Sequence, residues 1–160
     1  MANPIPVAVG CLVRNNKILL IKRNKPPFEN LWSIPAGKVE YGEYLDETIE
    51  REFKEEANLD VAYDGVKATV TEHIFEGGKL SLHTIMFLCN LSANGAEPRS
   101  GSSGELKWFD LSSIENFKDK IIPSDYEMIQ KFVLTNEDGY FNSIIEKING
   151  SYTLRDFRKI

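Results

Sequence analysis

Thiols are scarce in this chain: 160 residues contain only Cys11 and Cys89. The two are far apart and lack metal-ligand spacing. Both fall in strand-like segments, so buried free thiols in a reducing cytoplasm are expected. Histidine is equally rare, with His73 and His83 alone. They are read on strands at different registers, without a Ser or Cys nucleophile nearby in sequence, and are expected to be structural. No apolar run approaches ~20 residues, which excludes a membrane-spanning helix. There is no basic run, and the net charge is −5. A nucleic-acid groove is therefore not expected, nor is a membrane partner. The opening MANPIPVAVG has no basic n-region and is not expected to be a signal peptide. No internal repeat is visible. The apolar fraction of 42% and charged fraction of 27% are those of an ordinary soluble protein. The length predicts one domain over residues 1–160 with a real core.

Charge is concentrated where it is least expected. Residues 37–59, GKVEYGEYLDETIEREFKEEANL, hold eight acidic side chains. Leu45, Ile49 and Phe53 repeat at helical spacing and mark a buried stripe, predicting a helix from about Gly42 to Ala57. Glu47 with Arg51 and Glu50 with Lys54 are favourable i, i+4 pairs on a solvated face. Glu52, Glu55 and Glu56 behave differently. They share one helix face, and Glu52 and Glu56 point nearly the same way as Leu45 and Ile49. Partly buried carboxylates held together are costly unless a cation offsets their charge. Carboxylates without thiols or imidazoles suit a hard divalent ion, Mg²⁺ or Mn²⁺.

Elsewhere, residues 6–13 and 17–23 read as strands around an Asn15-Asn16 turn. Residues 24–30 form a loop with two prolines. Two further strands, 66–76 and 79–91, flank Gly77-Gly78, a hairpin signal. A polar loop over 92–104 precedes a strand at 106–110. Ser124 with Glu127 reads as a capping box for a helix through about Leu134. Tyr140, Phe141, Ile144, Ile145 and Ile148 repeat at helical spacing and suggest a last helix, placing carboxy-terminal helices over about 123–148. Strands around a long helix, then terminal helices, fit an α/β sandwich.

The acidic segment resembles the Nudix box, G-x5-E-x7-R-E-U-x-E-E-x-G-U, where U is a bulky apolar residue. Gly37, Glu43, Arg51, Glu52, Phe53, Glu55, Glu56 and Leu59 match it, and Asn58 stands where the family has Gly. That position follows the helix C-terminus, where φ is usually positive and Asn is the next-best residue, so Asn58 is expected to cap the helix. Leu31 to Gly37 is similar to the family's strand and turn into the box. Looser similarity spans roughly residues 3–135. The start resembles Nudix proteins acting on ADP-ribose-like compounds, some of which carry an amino-terminal zinc ribbon that is absent here.

The resemblance implies the Nudix fold, an α/β/α sandwich with a mixed sheet flanked by helices. It implies a Mg²⁺- or Mn²⁺-dependent hydrolase of phosphoric anhydride bonds, cleaving a nucleoside diphosphate linked to another group, ADP-ribose-like in the favoured reading. Carried over by position, Glu52 and Glu56 are the main metal ligands, Glu55 an additional ligand, and the Ala36 carbonyl a backbone ligand. Arg51 is expected to orient a box carboxylate. Glu43 either holds the loop–helix geometry or is simply solvated. Glu105, at the end of the Gly/Ser-rich loop, is the candidate general base, with Glu97 second and Glu52 a competitor. Arg23 and Lys38 are candidate phosphate contacts. Phe28 and Trp32 are candidates to stack on a base. Exposed apolar residues on the last helix would permit a homodimer. Competing readings are a housecleaning nucleoside triphosphate pyrophosphatase and a non-catalytic nucleotide-sensing module. An isopentenyl diphosphate isomerase would need a particular active-site Cys and extra His. RNA decapping is disfavoured for want of a basic surface.

Overall fold

The computed structural model describes residues 2–160. Nine strands form one mixed sheet, in the order β3-β2-β1-β6-β5-β8-β9, with β4 on β1 and β7 on β2. These are β1 (Ile5–Arg14), β2 (Lys17–Lys22), β3 (Trp32–Ser33), β4 (Ala36–Lys38), β5 (Val61–Glu76), β6 (Lys79–Ala93), β7 (Leu106–Asp110), β8 (Gly139–Ile148) and β9 (Ser151–Lys159). β1 runs parallel to β6 and β5 parallel to β8, while the other pairs are antiparallel. Helix α1 (Leu45–Ala57) covers one face. A 3-10 segment (Ile114–Lys120) and helix α2 (Pro123–Met128) lie against the other, and Ile129–Leu134 continue α2 with π-helical spacing.

Side-chain alternation divides β1 between two cores. Val9 and Cys11 join the cluster containing Met128, Ile129 and Phe132. Ala8 and Leu12 join Ile49, Phe53, Ala57 and Leu59 beneath α1. The period of two thus supplies an apolar surface to both helical layers. Both thiols are buried and free, and burial pushes Cys11 up to about 12 and Cys89 up to about 11.

Three two-residue turns carry positive φ at both positions: Asn15-Asn16, Gly77-Gly78 and Asn149-Gly150. This suits the right-handed twist of the strands they join. The third corrects the sequence reading, because residues 139–148 are a strand and not a last helix. Phe141, Ser143 and Ile145 are buried on one side of β8, while Tyr140, Asn142 and Ile144 are on the other. Isoleucines at i and i+1 satisfy either period, and β-branching together with the Asn-Gly turn favours the strand. The apolar residues assigned to a dimer contact on a helix are therefore on a strand. The expected capping box also fails. Ile122 is the N-cap of α2, Pro123 opens the helix, and no side chain caps it. His73 and His83 are not at different registers: they are paired directly across β5 and β6, with ring centroids 4.4 Å apart.

Helix α1 begins three residues later than expected, at Leu45. The Tyr44 N–H donates to Glu47 Oε2 at 2.8 Å, and Asp46 and Glu47 lie at the positive helix end. Asn58 ends it in the left-handed region at φ 52°, its N–H donating to Lys54 O. Phe53 is fully buried under the sheet. Phe53→Ala is expected to cost about 3–5 kcal/mol, read as a lower urea midpoint with an unchanged slope.

Candidate active site

Helix α1 sets its acidic face against the turn that enters β4. Gly37 makes room there, because a Cβ at this position would overlap the Glu52 carboxylate where it now lies. The absent side chain lets Glu52 lie directly on the Ala36–Lys38 backbone. Arg51 organises the carboxylates around it. Its Nε donates to Glu43 Oε1 at 2.6 Å and its Nη2 to Glu43 Oε2 at 3.0 Å, a two-pronged grip. Nη1 donates to Glu52 Oε1 at 2.8 Å, with Glu55 Oε2 further off at 3.4 Å. Nη2 also reaches the Lys38 carbonyl at 3.3 Å. Glu43 accepts further bonds from the Glu40 N–H and the Thr48 hydroxyl. The Arg51 contact, above all, holds the Glu43 carboxyl down at about 2.

Glu56 has no such compensation. Its Oε2 is buried and has no hydrogen-bond partner among the described residues. Burial first, then the neighbouring Glu52, pushes its carboxyl up to about 8. Burial also raises Glu52, against the pull of Arg51. Among the described residues, no three acidic, His or Cys side chains converge into a ready-made cage. An oxygen-ligated divalent cation nevertheless fits this donor set. It would give the orphaned Glu56 oxygen a partner and relieve its repulsion with Glu52.

The loop before β7 closes the carboxy-terminal end of α1. The Arg99 N–H donates to Ala57 O at 2.8 Å and the Gly101 N–H to Glu56 O at 3.1 Å. These bonds satisfy helix carbonyls that have no intrahelical donor. Gly101 lies so close to Glu55 O that a Cβ would sit 2.5 Å away. The Asn58 side chain adds a donation from Nδ2 to Arg99 O at 3.0 Å, which a glycine could not make.

Glu56 opens into a small cleft of about 170 Å³ with Arg23, Asn24, Lys25, Ala36 and Ser103 in its wall. Arg23, Lys25 and Ala36 also border an adjoining cavity of about 380 Å³. That cavity also contains Phe28, Gly37 and Lys38, so Arg23, Lys38 and Phe28 of the four expected substrate contacts line it, and Trp32 does not. A larger cavity of about 600 Å³ lies between α2 and the β8–β9 turn and contains none of the acidic helix residues.

The expected residues are not equally well placed. Arg23 Nε donates to Pro27 O at 2.7 Å, which ties the arginine to its own loop. Phe28 is buried, with its ring 4.3 Å from that of Tyr152, so it is a wall and not a free stacking surface. Trp32 packs edge-on to Phe109 in the core. Glu97 is engaged by Arg14 at 2.7 Å. The Glu105 side chain is exposed, and its carbonyl accepts from the Lys22 N–H at 2.8 Å. The loop residue lining the cleft beside Glu56 is Ser103.

Sequence reasoning missed two carboxyl groups in the main cavity wall, Glu72 and Asp125. A signal for Glu72 existed: it follows Ala68 and Val70 and precedes Ile74 on the buried parity of β5. Asp125 had no comparable signal.

The family model for the NUDIX domain matches residues 4–132. This chain belongs to the Nudix hydrolase family. It is 32% identical over 127 residues to an ADP-ribose pyrophosphatase of Methanocaldococcus jannaschii, covering 78% of this chain and 73% of that one. An uncharacterized Nudix hydrolase of Bacillus subtilis, YvcI, is 28% identical, with 67% of each chain covered. Among solved structures, a MutT protein from Bacillus halodurans superposes with a TM-score of 0.75 at 22% identity, covering 96% of each chain. That likeness shows the Nudix fold, and the mixed sheet with flanking helices agrees with the sequence reading. Nudix hydrolases act on nucleotide substrates and generally use divalent cations. Among the described residues, no helix is long and apolar enough to cross a membrane.

Burial raises Asp125 to about 7, with the Ile34 N–H opposing the shift. The folded protein therefore takes up a proton here above the unfolded value of 3.8. Asp125 contributes most stability below that unfolded value. The contribution is lost as pH rises towards 7 and is flat above it. In urea titrations from pH 4 to 8, Asp125→Asn is expected to remove this part of the pH dependence.

Proposed function

We propose that this chain is a Mg²⁺- or Mn²⁺-dependent pyrophosphohydrolase that cleaves ADP-ribose or a closely similar nucleoside diphosphate derivative. The observation carrying this reading is the cavity that continues from the acidic helix. Its wall combines the Ala36–Lys38 turn, Arg23 and Lys25 with apolar residues such as Ile5, Val7 and Met86. A dinucleotide-like substrate has the same polarity, with a charged diphosphate joined to flatter and less polar groups. The identity to the archaeal ADP-ribose pyrophosphatase supports the choice of substrate. The buried free thiols support a cytoplasmic location.

In this proposal Glu52, Glu55, Glu56 and the Ala36 carbonyl hold the metal. Bound there, a divalent cation supplies charge neutralisation and Lewis acidity at the diphosphate. Arg51 keeps Glu52 turned towards the Ala36–Gly37 backbone. Arg23 and Lys38 hold phosphate oxygens and align the P–O–P linkage. Glu105 swings in from the loop base and takes a proton from the attacking water. The water oxygen joins one phosphorus, the bridging P–O bond breaks, and the products are AMP and ribose 5-phosphate.

The test is chromatography of products after incubation with Mg²⁺ or Mn²⁺ and ADP-ribose, NADH, diadenosine polyphosphates or nucleoside triphosphates. Metal-dependent release of AMP from ADP-ribose is expected, and Glu56→Gln is expected to abolish it. Full turnover in that variant would sink the metal assignment. Preference for triphosphates would move the substrate to the housecleaning class, while nucleotide binding without any turnover would favour a sensing module. Glu105→Gln is expected to lower kcat by roughly 10²–10⁴-fold with little change in KM. An unchanged kcat would exclude Glu105 as the base.

A further inference from the structure

His73 and His83 are the chain's only histidines, and the proposed chemistry uses neither. The sheet nevertheless sets them directly opposite one another on β5 and β6, with ring centroids 4.4 Å apart and ring planes at 82°. Both residues are half-buried. The His83 Nε2 is shut off from water and has no hydrogen-bond partner among the described residues. A polar atom left this way is a cost that a ligand can relieve. Burial, then the neighbouring His83, lowers the His73 pKa, which favours the neutral ring with a free lone pair.

The pair lies where the sheet is least supported. The apolar cluster beneath α1 takes in Cys89 and Leu91 of β6 but stops short of His83. β1 pairs with β6 only from Thr84 onwards, so at His83 that strand has β5 alone as its ladder partner. On the opposite face of the same two strands, Glu72, Ile74, Leu82 and Thr84 line the cavity assigned to the substrate. Each histidine therefore sits between two wall residues, with its side chain behind the wall.

We propose that His73 and His83 form a second metal site, a cross-strand chelate for a borderline transition ion such as Zn²⁺, on the reverse face of the cavity wall. Imidazole suits Zn²⁺, Cu²⁺ and Ni²⁺, whereas carboxylates and carbonyls suit Mg²⁺, so this site and the acidic helix select different ions. Zn–N bonds of about 2.0–2.1 Å at a tetrahedral angle put two ligating nitrogens roughly 3.3 Å apart. A ring nitrogen lies off its centroid, so rings with centroids 4.4 Å apart reach that separation by side-chain rotation, with the backbone in place. Two imidazoles fill half of a tetrahedral shell and leave the other positions to water. This agrees with the lack of a third His, Cys or acidic ligand among the described residues. The ion gives the orphaned ring nitrogen a partner and ties β6 to β5 at the point where support from β1 ends.

The test uses the untagged chain in excess Mg²⁺, which competes for the acidic helix but poorly for imidazole. Zn²⁺ is added while the imidazole signals are followed by NMR, and the chain's two histidines give two rings to follow. Both rings are expected to shift together, with the change complete near one equivalent of Zn²⁺. The melting temperature is expected to rise with Zn²⁺ concentration, because only the folded chain opposes the two rings. In His73→Ala and in His83→Ala the surviving ring is expected to lose this response, whereas Glu56→Gln is expected to keep it. Rings unmoved by excess Zn²⁺ overturn the proposal. So does a single remaining histidine that responds as the pair does. Loss of the response in Glu56→Gln also overturns it, by putting the ion at the acidic helix. The wild-type titration needs no variant, so it decides even where a substitution fails to fold.

Discussion

One guanidinium holds the acidic helix in working order. Arg51 spans Glu43, at the turn before α1, and Glu52, on the helix itself. Its side chain is only 24% exposed, so these bonds are partly shielded from water and are stronger than an ordinary surface pair. The grip joins three pieces of backbone, because the same group also touches the Lys38 carbonyl. Without it, Glu52 would be a half-buried carboxylate beside Glu56 with nothing to hold its direction. The arrangement also explains why Glu56 is the carboxyl left without a partner. Arg51 is occupied by Glu43, Glu52 and Glu55, which leaves Glu56 to an incoming cation.

The far end of the same helix is stabilised by a different device. Arg99 and Gly101 donate backbone N–H groups to the last turn of α1. Asn58 supports that contact with its amide side chain. A departure from the family pattern thus becomes a local bond between helix and loop. Since Ser103 on this loop borders the cleft of Glu56, the loop that caps the helix also bounds the acidic site. The exposed Glu105 follows directly, anchored by its backbone to β2.

What was legible in the sequence were features governed by local chemistry. Leu45, Ile49 and Phe53 gave the buried stripe of α1, and the carboxylates on its edge marked the acidic face. Asn15-Asn16 and Gly77-Gly78 gave two hairpins because positive φ restricts the residue choice. The error at residues 139–148 came from counting isoleucines by helical period while overlooking Asn149-Gly150, a turn signal of the same kind. The true partner of β8 is the distant β5, with Val70 beside Phe141 and Ile74 beside Ile145, and no local pattern announces a parallel pairing. Asp125 was missed for the same reason. Its meaning depends on the Ile34 backbone, far away in sequence, and on a cavity assembled from several elements.

The β8–β9 hairpin lies beyond the residues matched by the family model, yet it supports the wall of the proposed nucleotide cavity. The Phe28 N–H donates to the Tyr152 hydroxyl at 3.2 Å, and the two rings are in contact. Ser143 of β8 steadies Glu72. The chain therefore separates its inheritance into two parts. The acidic helix and its arginine belong to the shared pattern, whereas the cavity leans on a segment outside it. Substitutions in the hairpin can reshape which molecules enter while the acidic helix stays untouched, giving this scaffold a place where selectivity can drift at little risk to its chemistry.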